Sequence, residues 1–228
     1  MTQKMFQVKC KWLIEAWGDT KKQAMEPILS VSGDQLKVTV FQNGGCGMRV
    51  KTCTISKTGS ATFKIPNSIR AFVALLEDFD SIQMEINEQK LTITAERPNS
   101  ALQYNFTNIE HVEDNFIVDD LKDICLSVPT DEWLTLWKTM PLKGEFVIKM
   151  DKTRRSVTFK HSKGRWGAAI QAKDTPKQSK SFTGDPLVAK RIFAFCKVED
   201  MFSTVTFMDC GVLKWQQNNT VVYLAPQD

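Results

Sequence analysis

Hydrophobic and polar positions change period along this chain in a regular order. Apolar and polar residues alternate over residues 5–10, as in a half-buried strand. Residues 11–23 switch to helical spacing, with Leu13, Ala16 and Trp17 on one side and Gly18 weakening the helix or ending it early. Strand-like runs follow at 27–32, 35–42, 48–55 and 61–65, separated by turn chemistry at 32–34 (SGD), 43–47 (NGGCG) and 57–60 (KTGS). Pro66, with its fixed φ, opens a second helix whose apolar stripe is Ile69, Phe72, Val73 and Leu76. Strands at 81–86, 90–95 and 101–106 complete the series.

The order then pauses and starts again. Residues 107–120 break the pattern, with Glu110, Glu113, Asp114, Asp119 and Asp120 around Ile109, Val112, Phe116, Ile117 and Val118, and read as a surface connector. A strand at 123–129 leads to Thr130, which is expected to cap a helix over 131–140 with Trp133, Leu134 and Trp137 apolar. Strands at 145–150, 156–161, 166–171 and 178–182 follow, with a loop at 173–178. Asp185 and Pro186 open a helix to about Lys197, burying Leu187, Val188, Ile192, Phe193 and Cys196. Strands at 204–208, 212–216 and 220–223 finish the chain. Both halves therefore read strand, helix, four strands, helix, three strands, although their residues barely match. The expected fold class is α+β, with two similar domains at 1–106 and 122–228 joined by a connector at 107–121.

Composition fits that picture. The 228 residues are 42% hydrophobic, enough for two packed cores of modest size and too many for global disorder. No stretch approaches the roughly 20 apolar residues of a membrane span, and the first residues carry no apolar run of a secretory signal. Six cysteines lie scattered without metal or disulfide spacing, and read as reduced thiols in a cytosol-like compartment, most of them core fillers. The net charge of +4 is modest for a protein that grips DNA by electrostatics, so charge placement matters more than its sum.

Catalytic chemistry finds little support. The two histidines, His111 and His161, sit in the connector and at a strand end, and no nucleophile elbow or phosphate loop is present. A Cys–His pair involving Cys46 or His161 is the remaining route to a small enzyme. The connector carboxylates lack the spacing of a calcium loop. The six tryptophans (Trp12, Trp17, Trp133, Trp137, Trp166 and Trp215) suit a core better than a base-stacking platform. No catalytic residue, metal or cofactor is implied.

The element order is that of the DNA polymerase sliding clamps, and three stretches resemble that family locally. STVTFMDCGVLKWQQNNTVVYLAPQD resembles the clamp C-terminus, where a last strand leads into YLAP. VPTDEWLTLWKTM and KIPNSIRAFVALLE resemble the first helix of a second clamp domain and the second helix of a first one. The resemblance spans about residues 5–226 and includes proliferating cell nuclear antigen and two-domain viral or phage clamps, the small size favouring the latter. It implies a homotrimeric ring with pseudo-sixfold symmetry, whose helices line a hole holding duplex DNA without sequence preference. It also implies DNA polymerase, a clamp loader and other tail-motif proteins as partners, no membrane, and a cytoplasmic location in a bacterium or infected cell, or a nuclear one in a eukaryote.

Carried onto this sequence, the helices bring Lys11, Lys21 and Lys22, then Arg70, then Lys138 with Lys143 just beyond, then Lys190, Arg191 and Lys197, as phosphate contacts. The second helix has the least charge, with Glu77 and Asp78 near its end. The partner pocket would be walled by Tyr223, Leu224, Ala225 and Pro226 on one side and Phe116, Ile117 and Val118 on the other. The basic hairpin Lys152, Arg154 and Arg155, with Lys160, Lys163 and Arg165, either adds DNA contacts or shields an edge from aggregation. The alternative function is a clamp-like factor acting as a monomer or mixed ring in processivity, checkpoint or transcription work.

Overall fold

The computed structural model describes residues 4–17, 27–42, 46–66, 68–87, 90–107, 110–112, 123–162, 164 and 166–227. The chain divides into two compact units, residues 1–41 with 50–116, and residues 42–49 with 117–228.

In the first unit, β1 (Lys4–Lys9) runs into α1 (Cys10–Trp17). The long strands β2 (Ile28–Gln42) and β3 (Gly47–Lys64) follow, then α2 (Ile69–Ala74) and a 3-10 turn at Leu75–Asp78. Strands β4 (Ser81–Asn87), β5 (Lys90–Arg97), β6 (Ser100–Thr107) and the short β7 (Glu110–His111) complete the unit. One antiparallel sheet has the order β1-β4-β5-β6. Its register sets Phe6 beside Met84, Met84 beside Ile93 and Ile93 beside Tyr104, one apolar row across four strands. Leu13, Trp17, Phe72 and Leu76 belong to the same buried core, so both helical segments of the unit pack into it.

Two turns expected here are absent. Residues 32–34 and 57–60 lie inside β2 and β3. Gly33 does take the left-handed conformation (φ 62°) that its turn chemistry favours. The strand continues through it, as a bulge allows. Helix α2 also starts later than expected: Pro66 stays outside, and its carbonyl accepts the Ile69 N–H (3.1 Å) in a tight turn ahead of the helix. Helix α1 is described only to Trp17, so the remainder of the expected helix lies outside the described residues.

The second unit holds β8 (Ile124–Pro129), α3 (Thr130–Thr139), β9 (Phe146–Met150), β10 (Ser156–His161), β11 (Gly167–Gln171) and β12 (Lys180–Gly184). Helix α4 (Pro186–Phe193), β13 (Phe202–Phe207), β14 (Leu213–Gln217) and β15 (Thr220–Leu224) follow. Strands β11-β10-β9-β12 form one sheet and β15-β14-β13-β8 run in order in another. Backbone bonds tie the two together: Lys173 N–H donates to Ser127 O (2.8 Å) and Gln227 N–H to Thr183 O (3.0 Å). Between sheets and helices lies an aromatic core in which Trp137 stacks on Phe193 (4.9 Å between centroids). Trp133 meets Phe159 edge-on (5.2 Å), and Phe193 meets Trp215 (5.4 Å).

Three local expectations need correction in this unit. Thr130 is the first helical residue and not the cap; its hydroxyl is buried without a partner among the described residues, and its N–H donates instead to Met201 O (3.0 Å). Asp185 does cap α4, accepting the Leu187 N–H at 2.7 Å with Pro186 in the first turn. That helix ends at Phe193, so Lys197 lies beyond it and shares no helical face with Lys190. The six cysteines are free thiols, yet only Cys10 is fully buried, while Cys46, Cys125 and Cys210 are exposed. Cys53 and Cys196 are half-buried against the cores, so three of the six pack there and the other three do not, because each exposed thiol sits on a turn or an outward strand position.

Candidate nucleic-acid interface and docking pocket

The cationic helix positions follow from amphipathic packing. On α3, Trp133, Leu134 and Trp137 are buried and Lys138 is exposed. On α4, Val188, Ala189, Ile192 and Phe193 are buried while Lys190 and Arg191 reach partly into solvent. Lys190 Nζ donates to the Lys138 carbonyl oxygen (2.9 Å). That carbonyl is among the last of α3, which have no partner within the helix and carry its partial negative charge. Lys190 thus ties the two helices together as well as placing a cation near Lys138. Lys143 is exposed just past α3. Asp131 and Glu132 occupy the first turn of α3, so the face is mixed and its positive end is the C-terminal one.

In the first unit, Lys11 is exposed on α1 opposite the buried Leu13, Ala16 and Trp17. Glu15 on the same helix pairs with Lys51 Nζ (2.8 Å) in a largely buried contact, which offsets its charge. Lys21, Lys22, the Arg70 side chain and the connector trio Phe116, Ile117 and Val118 lie outside the described residues. So do Lys163 and Arg165 of the basic hairpin.

The expected terminal pocket has a counterpart in the second unit. A cavity of about 120 Å³ is lined by Leu224, Ala225 and Pro226 on one side and Phe146, Gly184 and Val188 on the other. Asp185, Cys46 and Gln227 also line it. The volume suits one small apolar side chain, since a cavity of about 150 Å³ admits benzene. Two backbone bonds hold the wall: Ala225 N–H donates to Cys46 O (2.9 Å) and Gln227 N–H to Thr183 O (3.0 Å). Tyr223 does not line this cavity. Alternation along β15 turns Val222 and Leu224 into the core and Tyr223 to the opposite face, beside Lys214.

Sequence reading missed the far wall. Phe146, Gly184 and Val188 come from three separate elements, and no local pattern joins them. Gly184 has a packing reason: a Cβ there would lie 2.7 Å from Phe182 and 2.8 Å from Phe146. Gly47 is similar, since a Cβ would stand 2.7 Å from Val188 and would also collide with Ile192. The one available signal was Asp185-Pro186, which starts α4 at the rim.

Among the described residues, no group of three or more His, Cys, Asp or Glu side chains comes together as a metal site. No helix among them is long and apolar enough to cross a membrane.

No protein-family model and no curated protein matches the sequence. Solved structures do match. The DNA polymerase III beta subunit of Thermotoga maritima aligns over 99% of this chain with a TM-score of 0.72 at 9% identity, and this chain spans 65% of that one. PCNA of Thermococcus kodakaraensis aligns over 99% of this chain and 100% of its own with a TM-score of 0.71 at 10% identity. Identities this low speak to fold alone. On that evidence the chain has the α+β fold of the DNA sliding clamps.

Proposed function

We propose that the protein is a DNA sliding clamp, a polymerase processivity factor that closes as a homotrimer around duplex DNA and catalyses nothing itself. The observation that carries this reading is the fold likeness over 99% of this chain to the full length of an archaeal PCNA. Residues 1–106 and 122–228 serve as its two clamp domains, and 107–121 as the connector. Lys11, Lys138, Lys143, Lys190 and Arg191 hold phosphates without reading bases, together with Lys21, Lys22, Arg70 and Lys197. DNA polymerase, a clamp loader and other tail-motif proteins insert an apolar side chain beside Leu224, Ala225 and Pro226. Edge strands support assembly: β6 bonds only to β5, and β11 only to β10, among the described residues. Such edges offer backbone groups that another copy can pair with.

Light scattering across a concentration series tests the ring. One chain is 25.9 kDa, and a species near three times that mass is expected. That species should stay on closed circular DNA and run off linear DNA. A monomer at every concentration overturns the homotrimer and leaves a monomeric or mixed-ring accessory factor.

A further inference from the structure

The sheet β11-β10-β9-β12 has two faces of opposite character. Ile148, Phe159 and Phe182 point inward to the aromatic core under α3 and α4. The alternate residues Lys149, Thr158, Lys160 and Ser181 point the other way. Register sets Lys149 beside both Ser181 and Thr158, with Lys160 two residues further along β10. These residues line an open groove of about 660 Å³ with Arg154, Lys180, Ser156 and Ser179. Its only carboxylate is Asp151.

The carboxylate is already occupied. Asp151 Oδ1 accepts the Thr153 N–H (2.9 Å) and the Thr153 hydroxyl (2.8 Å), and these bonds hold its pKa below the usual range. It shapes the turn that presents Arg154. Lys180 is paired with Asp209 (3.3 Å), but no ion pair joins Lys149 or Lys160 to an acidic residue among the described residues. Ser179 Oγ accepts the Lys152 N–H (3.1 Å), which leaves its own proton for an anion. Cations this close lie within a Debye length of one another, so their potentials add.

Edge protection does not account for this charge. Strands β9 and β10 are the two central strands of the sheet, so Lys149 and Lys160 guard no edge. An acidic peptide fits poorly, because Met150 is the only apolar residue lining the groove and its side chain is buried in the core, which leaves no anchor pocket. Exposed ion pairs alone contribute about 0–1 kcal/mol each. Single-stranded nucleic acid fits poorly as well, since no aromatic ring lines the groove for bases to stack on. Lysine, arginine and serine hydroxyls without base-reading groups match a phosphodiester backbone, whose binding gains from released counterions.

We infer that this outer groove, on the side of the sheet away from α3 and α4, is a second, sequence-independent contact site for the backbone of duplex DNA. It takes a segment of duplex other than the one proposed to meet Lys138 and Lys190. The inference stands on charge and topology and does not require a closed ring.

The test is fluorescence anisotropy of a short linear duplex, titrated with the full-length protein at several salt concentrations. A short linear duplex is not retained by topology, so the readout is independent of ring closure and of the clamp reading. Lys149→Ala/Arg154→Ala/Lys160→Ala should weaken binding at least about tenfold at low salt. The slope of log K against log salt should shrink by about 2–3, at about 0.9 per phosphate contact. Lys149→Arg/Lys160→Arg should bind as wild type. Unchanged affinity and slope in the triple alanine variant overturn the proposal. Equal competition by poly-glutamate of matched charge overturns it in favour of an acidic peptide. Tighter binding of a single strand than of the duplex also overturns it.

Discussion

Lys190→Met removes one charge and one hydrogen bond but keeps a long apolar stem. In the wild type, Lys190 Nζ donates to Lys138 O at 2.9 Å, at the C-terminal end of α3. A cation at that end of a surface helix contributes about 0.3–1 kcal/mol. Solvent reaches this ammonium, so screening keeps the charge-assisted bond near the low end of its range. A loss of about 1 kcal/mol is expected, seen as a fall in melting temperature of about 2–4 °C for a chain of this length. Lys138→Ala is the matched comparison. It removes an exposed cation from the same helix end and leaves the carbonyl that Lys190 uses. It should leave the melting temperature within about 1 °C, since surface changes usually stay within about 0.5 kcal/mol. If both cations meet phosphates, each variant lowers the salt slope of duplex binding by about 0.9. Calorimetry and anisotropy on the two proteins read the two effects separately. A Lys190→Met protein that melts like wild type refutes the inter-helix bond. Unchanged salt slopes in both variants refute the phosphate role of this helix face.

Other predictions concern the pocket, the thiols and one close approach. Deleting Leu224–Pro226 is a poor probe of docking, because Leu224 is only 3% exposed and belongs to the core. Pro226→Glu instead sets a charge on the cavity wall from an exposed position, and should weaken binding of an apolar tail peptide about tenfold without shifting the melting curve; normal peptide affinity removes the docking role. Burial pushes the Cys10 thiol up to about 11, aided by the nearby Asp80 charge. Burial likewise lifts Cys53 to about 11, against a lowering from Lys51. The folded protein thus holds these protons more tightly than an unfolded chain at the ordinary value of 9.0, so the stability involved is complete below about pH 9 and is lost as pH rises through about 11. Melting temperatures between pH 8 and 10.5 should fall less in Cys53→Ala than in wild type, and parallel curves would contradict the shift. Gly47→Ala should cost about 1–3 kcal/mol by denaturant unfolding, because the new methyl overpacks Val188 and Ile192; a neutral result means α4 yields there.

Element type was legible because periodicity reports which face of a segment is buried, although the four strands expected between the first unit's helices are two long ones, against four in the second unit. Boundaries were less legible where one residue type serves two geometries. Gly33 at φ 62° suits a turn and a bulge alike, and only the strand pairing of β2 with β3 decides between them. Thr130 has the chemistry of a cap, but the Met201 carbonyl lies next to its N–H, a contact across 71 residues that no local window contains. The site divides similarly. Leu224, Ala225 and Pro226, which line the cavity, were named as a candidate wall through a family resemblance in one short stretch. Phe146, Gly184 and Val188 come together only by folding. The groove cations were partly legible: alternation along β10 sets Thr158 and Lys160 on one face, but only the register puts Lys149 beside them.

Helix charge bears directly on how such a protein would hold DNA. On α3 and α4 the described cations are Lys138, Lys190 and Arg191, and Lys190 also serves the α3 carbonyl. Asp131 and Glu132 oppose them on the same helix. On α1, Lys11 stands beside a Glu15 already paired with Lys51. Contacts this sparse give weak binding with a shallow salt slope, about 0.9 per phosphate contact. A processivity factor built this way must draw retention from closure around the duplex, and weak contacts then favour sliding. The proposed reading therefore demands a specific contrast. Raising salt should strip the protein from linear duplex and leave it on a closed circle. Equal loss from both would mean that contact, and not topology, holds the DNA.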